Sequence, residues 1–176
     1  MIHPLAFVDA SVTVGEGTVI RQFASVTGGT VLGRDCKVSP FAMLHGSTYG
    51  DRVVIGAGVA CGPGFLVGSD VHICPQVLLS NDAWPFASKE GFDYGRLQSG
   101  DGYAVIIDDG AFIGAGAKIM PGVRVGRGAG IAANAVANRN VPAGMLLRRC
   151  GALSPVPVDW AERRMRFARK EAGNTV

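Results

Sequence analysis

Isoleucine, valine or leucine returns at every sixth residue through most of this chain. Val8, Val14, Ile20, Val26, Leu32, Val38 and Leu44 are six apart, and a step of five leads to Tyr49. Ile55, Cys61, Val67, Ile73 and Leu79 continue the count. After an interruption it resumes at Ile107, Ile113, Ile119, Val125, Ile131 and Ala137. A period of six fits neither an amphipathic helix nor a simple alternating strand. It fits a flat-sided coil in which each six residues make one short strand and one turn. Three such sides close a triangular rung of about 18 residues, and the rungs stack as a parallel β-helix.

A second pattern fixes the register. Two places before each large apolar residue stands a small or β-branched one, such as Thr18, Ala24, Thr30, Cys36, Ala42, Val53, Val59, Ala111, Ala117 or Ala129. That residue is expected to share the interior with its large neighbour. One place after the large residue, Gly15, Gly33, Gly50, Gly56, Gly62, Gly68, Gly114 and Gly126 recur. They suit corners where a side chain would clash or φ must be positive.

With 176 residues the chain reads as all-β and compact, its β-helix filling residues 1–157. Hydrophobic residues at 48% suffice for a thin continuous core, and a net charge of +3 is too mild to imply nucleic acid. No apolar run is long enough to span a membrane, and residues 1–10 lack a signal-peptide pattern, so a cytoplasmic location is expected. The four cysteines lack metal-ligand spacing, and Cys36 and Cys61 fall on interior repeat positions. From Leu79 to Ile107 is 28 residues, not a multiple of six, so a long loop over about 82–104 interrupts the coil. Long loops in compact domains are more often functional than accidental. The coil is expected to end at Val141-Pro142. Residues 158–176 read as a short C-terminal helix, capped by Asp159 with Glu162 three places on, and basic on one face through Arg163, Arg166 and Lys170. Exposed edges and flat apolar faces predict a homotrimer with ligand sites between subunits.

Several segments carry a family likeness. They are Thr30-Val31-Leu32-Gly33-Arg34-Asp35-Cys36-Lys37-Val38, Tyr49-Gly50-Asp51-Arg52-Val53, and Cys74-Pro75-Gln76-Val77-Leu78-Leu79-Ser80-Asn81-Asp82-Ala83-Trp84-Pro85. Ile113-Gly114-Ala115-Gly116-Ala117 and Asn138-Arg139-Asn140-Val141-Pro142 add to it. Over residues 8–153 the chain resembles the left-handed β-helix hexapeptide family, mostly CoA-dependent acyltransferases. Within it, the likeness is to N-acetyltransferases of nucleotide-linked 3-amino sugars, of the UDP-2-acetamido-3-amino-2,3-dideoxy-glucuronate type. Arg21-Gln22-Phe23-Ala24-Ser25 stands where that group often has W-H-F-S-H, and Arg149-Cys150-Gly151-Ala152 where it has G-N-P-A.

The resemblance implies acetyl-CoA as co-substrate, an amino-sugar nucleotide as acceptor, and Asn81 beside the reacting amine. Asp82 is a candidate to take a proton or hold a sugar hydroxyl. His45 and His72 are expected to face outward, and each is a candidate base. Ala115 and Ala133, 18 residues apart, are expected to stack on one face and, with Gly114, to admit the pantetheine arm of CoA. Arg139 matches the family's phosphate-binding lysine. Relatives that acylate hydroxyls place a histidine before the loop proline; here that place is Trp84, which favours an amine acceptor. An O-acetyltransferase and a non-catalytic β-helix remain alternatives. A metal site of the γ-type carbonic anhydrase kind needs three convergent histidines, and His3, His45 and His72 are poorly spaced for it.

Overall fold

The computed structural model describes residues 1–83 and 104–157, with positions 88, 93 and 159. Among the described residues, twenty-one short strands wind into three sheets, parallel except at β21, that form the sides of a prism. Sheet B holds β1 (Phe7–Val8), β4 (Ser25–Thr27), β7 (Met43–His45), β10 (Ala60–Cys61), β13 (Leu78–Leu79), β16 (Lys118–Ile119) and β19 (Val136–Ala137). Sheet C holds β2 (Thr13–Val14), β5 (Val31–Leu32), β8 (Thr48–Tyr49), β11 (Phe65–Val67), β14 (Val105–Ile107) and β17 (Val123–Val125). Sheet A holds β3 (Val19–Ile20), β6 (Lys37–Val38), β9 (Val54–Ile55), β12 (His72–Ile73), β15 (Phe112–Ile113), β18 (Gly130–Ile131), β20 (Met145–Leu147) and β21 (Leu153–Pro155).

Every sixth apolar residue points inward. Ile20, Val26, Leu32, Val38, Leu44, Tyr49, Ile55, Ile73, Ile113 and Ile131 are fully buried, as are their small companions Thr18, Ala24, Thr30, Cys36, Ala42 and Val53. Successive coils pair Phe7 with Ser25, 18 residues on, and Met43 with Ala60, 17 on across the short step. They pair Leu78 with Lys118, 40 on, so the loop adds 22 residues without shifting the register. The expected terminus at Val141-Pro142 is too early. Val141 bridges Val125 in sheet C, Leu147 follows six residues later at an inward position, and β20 pairs in parallel with β18. Pro142 lies at a corner, where its missing N–H removes no ladder bond. The coil then reverses, and β21 pairs antiparallel with β20.

The corner glycines are explained by crowding rather than by φ. A Cβ at Gly56 would lie 2.4 Å from the Pro75 nitrogen, yet Gly56 does not have positive φ. Positive φ falls two places later, at Gly17, Asp35, Arg52, Gly58, Gly64, Asp70, Gly116 and Gly128. The expected C-terminal helix and most of the 82–104 loop lie outside the described residues.

A row of ion pairs lines one side. Along sheet C and the corner after it, Arg52 grips Asp70 through two bonds of 2.7 Å, and Arg124 grips Asp108 at 3.0 and 2.9 Å. Arg34–Asp51 and Arg127–Asp109 complete the row. Exposed pairs of this kind add little stability, but they mark a wetted edge.

Gly56→Ala is expected to cost about 3 kcal/mol in chemical denaturation, because backbone must move to admit the methyl. Gly110, with φ 68° and nothing within 4 Å of a built Cβ, is expected to accept Asn at a cost within about 1 kcal/mol. Burial pushes the Cys61 thiol up to about 11 and also raises Cys36, whereas Cys150 is exposed. A thiol reagent at pH 8 followed by mass spectrometry is therefore expected to label Cys150 first and to leave Cys36 and Cys61 unmodified until the chain unfolds.

Candidate active site

The loop leaves the prism at the corner between sheets B and C. Asn81 stands two places after Leu79, at the mouth of that loop. Its Nδ2 donates to the Pro63 carbonyl at 3.2 Å, one coil below. A carbonyl only accepts, so the amide nitrogen must face Pro63, and Oδ1 is left as the acceptor of the pair. The side chain lies over Gly62, where a built Cβ would come within 2.7 Å of Nδ2. Asp82 follows it, half-buried.

His45 occupies the same corner two coils below Asn81, about 10 Å away at the usual strand spacing. It is exposed, and its Nδ1 lies 2.8 Å from the Thr27 hydroxyl. Its ring lies over Gly28, whose N–H donates to Asp9 Oδ2 at 2.8 Å. Hydrogen bonds from the Ser11 hydroxyl and from the backbone N–H groups of Gly28 and Ser11 hold the Asp9 carboxyl below the usual range, with a smaller contribution from His45. His72 is half-buried on β12 in sheet A, between Val54 and Phe112. The structure therefore separates His72 from Asn81 within one chain.

Ala115 and Ala133 stack in successive coils at the other edge of sheet B, the corner that sheet A feeds. The Asn134 N–H donates to the Ala115 carbonyl at 2.8 Å, and both alanines are exposed. Gly114 lies beneath Ala133, whose nitrogen would sit 2.4 Å from a Cβ at Gly114. The column offers only methyl groups to a ligand lying along it. Arg139 is not part of that column. It stands after β19 on the Asn81 corner, exposed, and its Nη2 donates to the Gly151 carbonyl at 2.6 Å. Asn81, Asp82, His45 and Arg139 thus share one edge of sheet B, while Gly114, Ala115 and Ala133 share the other.

The outer face of sheet B between those edges is mostly apolar, with the exposed Lys118 between Leu78 and Val136. Phe7, Met43, Leu78 and Val136 are exposed on it. At its small-residue edge Phe23 and Phe41 stack with centroids 5.3 Å apart. Both have φ 62°, a strained backbone for an aromatic residue, and both rings remain more than half exposed. Two features escaped sequence reasoning: this aromatic stack, and a buried polar group of Ser47, Tyr49 and Cys61 beneath the Asn81 corner. The five-residue step to Tyr49 was the only signal of the second. Among the described residues no group of three His, Cys, Asp or Glu side chains is placed to hold a metal ion.

Residues 104–139 match the family model "Bacterial transferase hexapeptide (six repeats)". The chain is 32% identical over 148 residues to the bifunctional protein GlmU of Alkalilimnicola ehrlichii, covering 74% of this chain and 28% of that protein. It is 29% identical over 155 residues to GlmU of Burkholderia thailandensis, covering 77% and 33%. The chain thus spans about a third of the length of these curated relatives. Among solved structures, a mutant of AntD, an N-acyltransferase from Bacillus cereus in complex with dTDP-4-amino-4,6-dideoxyglucose and coenzyme A, superposes with TM-score 0.66 at 17% identity, covering 90% and 91% of the two chains. The Francisella novicida UDP-N-acetylglucosamine acyltransferase superposes with TM-score 0.60 at 17% identity, covering 93% and 73%. The fold is the left-handed parallel β-helix of hexapeptide repeats.

Gly62→Ala is expected to lift the Asn81 carboxamide off Pro63. In amide NMR spectra the Asn81 side-chain resonances shift while those of the sheet A strands hold their places.

Proposed function

We propose that this chain transfers an acetyl group from acetyl-CoA to the amino group of a nucleotide-linked amino sugar. The observation that carries the reading is Asn81, held at the mouth of the inserted loop with its amide oxygen left to accept. An amine nucleophile has N–H groups to give and a lone pair to aim. Oδ1 accepting one N–H turns that lone pair toward the thioester carbonyl. The nitrogen–carbon bond forms, the carbon–sulfur bond breaks, and the departing CoA sulfur ends as a thiol with the proton lost by nitrogen. An amine of modest pKa is partly neutral near pH 7 and needs little base, in keeping with Trp84 where hydroxyl-acylating relatives carry histidine. AntD, which shares the fold, binds CoA together with an amino-sugar nucleotide, the same pair of ligand classes. The small-residue column of Gly114, Ala115 and Ala133 suits the pantetheine arm, and Arg139 suits a phosphate.

The two halves of this machinery lie on opposite edges of sheet B. A trimer joins them by setting the small-residue edge of one copy beside the Asn81 edge of the next. The Phe23–Phe41 stack and the apolar sheet B face supply the surface for that contact. No helix among the described residues is long and apolar enough to cross a membrane. We place the reaction in the cytoplasm, where acetyl-CoA is available.

The direct test is CoA release from acetyl-CoA with a panel of UDP- and dTDP-linked 3-amino and 4-amino sugars and their hydroxyl analogues. Turnover on one amine and none on its hydroxyl partner is expected. Turnover on a hydroxyl alone would replace this reading with O-acetylation, and none on any acceptor would remove it. Asn81→Ala is expected to lower kcat roughly 100-fold. Phe23→Glu combined with Phe41→Glu is expected to convert the trimer to monomer in sedimentation velocity and to abolish transfer.

A further inference from the structure

Three consecutive carbonyls in one turn organise the whole loop mouth. Gly62, Pro63 and Gly64 connect β10 to β11 at the corner between sheets B and C. The Gly62 carbonyl accepts from the Ser47 hydroxyl at 3.0 Å. The Pro63 carbonyl accepts from Asn81 Nδ2 at 3.2 Å, where the loop departs. The Gly64 carbonyl accepts from the Ala104 N–H at 2.8 Å, where the loop returns. Both ends of the 22-residue insertion therefore hang on neighbouring carbonyls of a single turn, and the third carbonyl ties that turn to the interior.

The tie belongs to a polar layer in the core. Ser47 is 3% exposed, its hydroxyl also accepts the Phe65 N–H at 3.2 Å, and the Tyr49 hydroxyl and Cys61 thiol share a hydrogen bond of 2.8 Å beside it. No buried side-chain nitrogen or oxygen among the described residues lacks a partner. This layer sits where coil three is one residue short, between Leu44 and Tyr49. The Ser47 hydroxyl lies beneath the Gly62 carbonyl of the next coil as the Thr18 hydroxyl lies beneath that of Gly33.

We infer that Ser47 is a positioning residue for Asn81 and for both ends of the inserted loop, acting through the Gly62–Gly64 turn. Its effect on transfer rests on the function proposed above, whereas its effect on the loop ends does not. The Gly62–Gly64 turn contains two glycines between short strands, and besides Ser47 it is tied to the coil below by the Gly64 N–H, which donates to the Gly46 carbonyl at 3.0 Å. A turn free to tilt would swing the Pro63 carbonyl, and the Asn81 amide with it.

The test compares Ser47→Thr with Ser47→Val in the full chain. The two side chains have the same shape and differ by the hydroxyl. Thr30 fills the equivalent inward position one coil below, so the column admits a β-branched residue. Circular dichroism and sedimentation establish that both variants are folded and assembled alike. Amide hydrogen exchange at Ala104 is expected to be roughly 10-fold faster in the Val variant than in the Thr variant, the scale of one lost hydrogen bond, while exchange in β15 and β18 is equal. The Asn81 side-chain resonances are expected to shift in the Val variant alone. With an acceptor in hand, kcat falls roughly 10-fold in the Val variant while KM for acetyl-CoA stays within about two-fold, and the Thr variant matches wild type. Equal exchange at Ala104 and unshifted Asn81 resonances in the two variants would overturn the anchor. Altered exchange with unchanged kcat would overturn its role in transfer. If wild-type protein acetylates no acceptor, the proposed function falls, and the exchange measurement still decides the anchor.

Discussion

Lys37, Val54, His72 and Phe112 each donate a backbone N–H to a carbonyl of the next coil, at 2.8 to 3.1 Å. That contact between coils sets the distances to which everything else must conform. Coils locked at strand spacing leave room on each side for one large and one small inward side chain. Hence Ile55 is paired with Val53, Ile113 with Ala111 and Ile131 with Ala129, all buried. The same closeness leaves no volume for a Cβ where one corner passes over another, so Gly33, Gly56 and Gly114 carry none. Each coil is held by its neighbours above and below, and distant coils do not meet.

A structure built this way accommodates additions at its corners. β11 and β14, the sheet C strands of the coils that the insertion separates, pair in register over three residues. The strands before and after it keep the register of the stack, and Asn81 stands at its root. The three sides are meanwhile dressed differently. Sheet C and its following corner carry the Arg–Asp pairs, whereas the outer face of sheet B carries Phe7, Met43 and Leu78. Water suits the first surface and protein suits the second.

The architecture was legible because its cause is periodic. An inward position every six residues imposes itself on the residue type, so the register of Ile20, Ile73 and Ile113 and the burial of Cys36 and Cys61 follow from counting. Continuation past Val141 was not legible: Ala137 to Val141 is a step of four, and the count recovers only at Leu147. The reason for the corner glycines was half legible, since a clash with the next coil and a positive φ select the same residue. Arg139 beside the Asn81 edge, away from Ala115, was out of reach, because the motif gives its place in the chain but not which edge of sheet B it joins. Ser47 gave no signal of its own. Its role depends on three carbonyls of a turn that meets it only across coils.

The antiparallel pairing of β21 on β20 has a consequence for growth along the axis. A parallel stack has no intrinsic length, since each coil offers its successor the same donors and acceptors. In sheet A the last strand among the described residues, β21, runs against the others, so an arriving prism finds there a direction its own parallel strands do not match. On that side the molecule carries its own stop against polymerising end to end into a fibre.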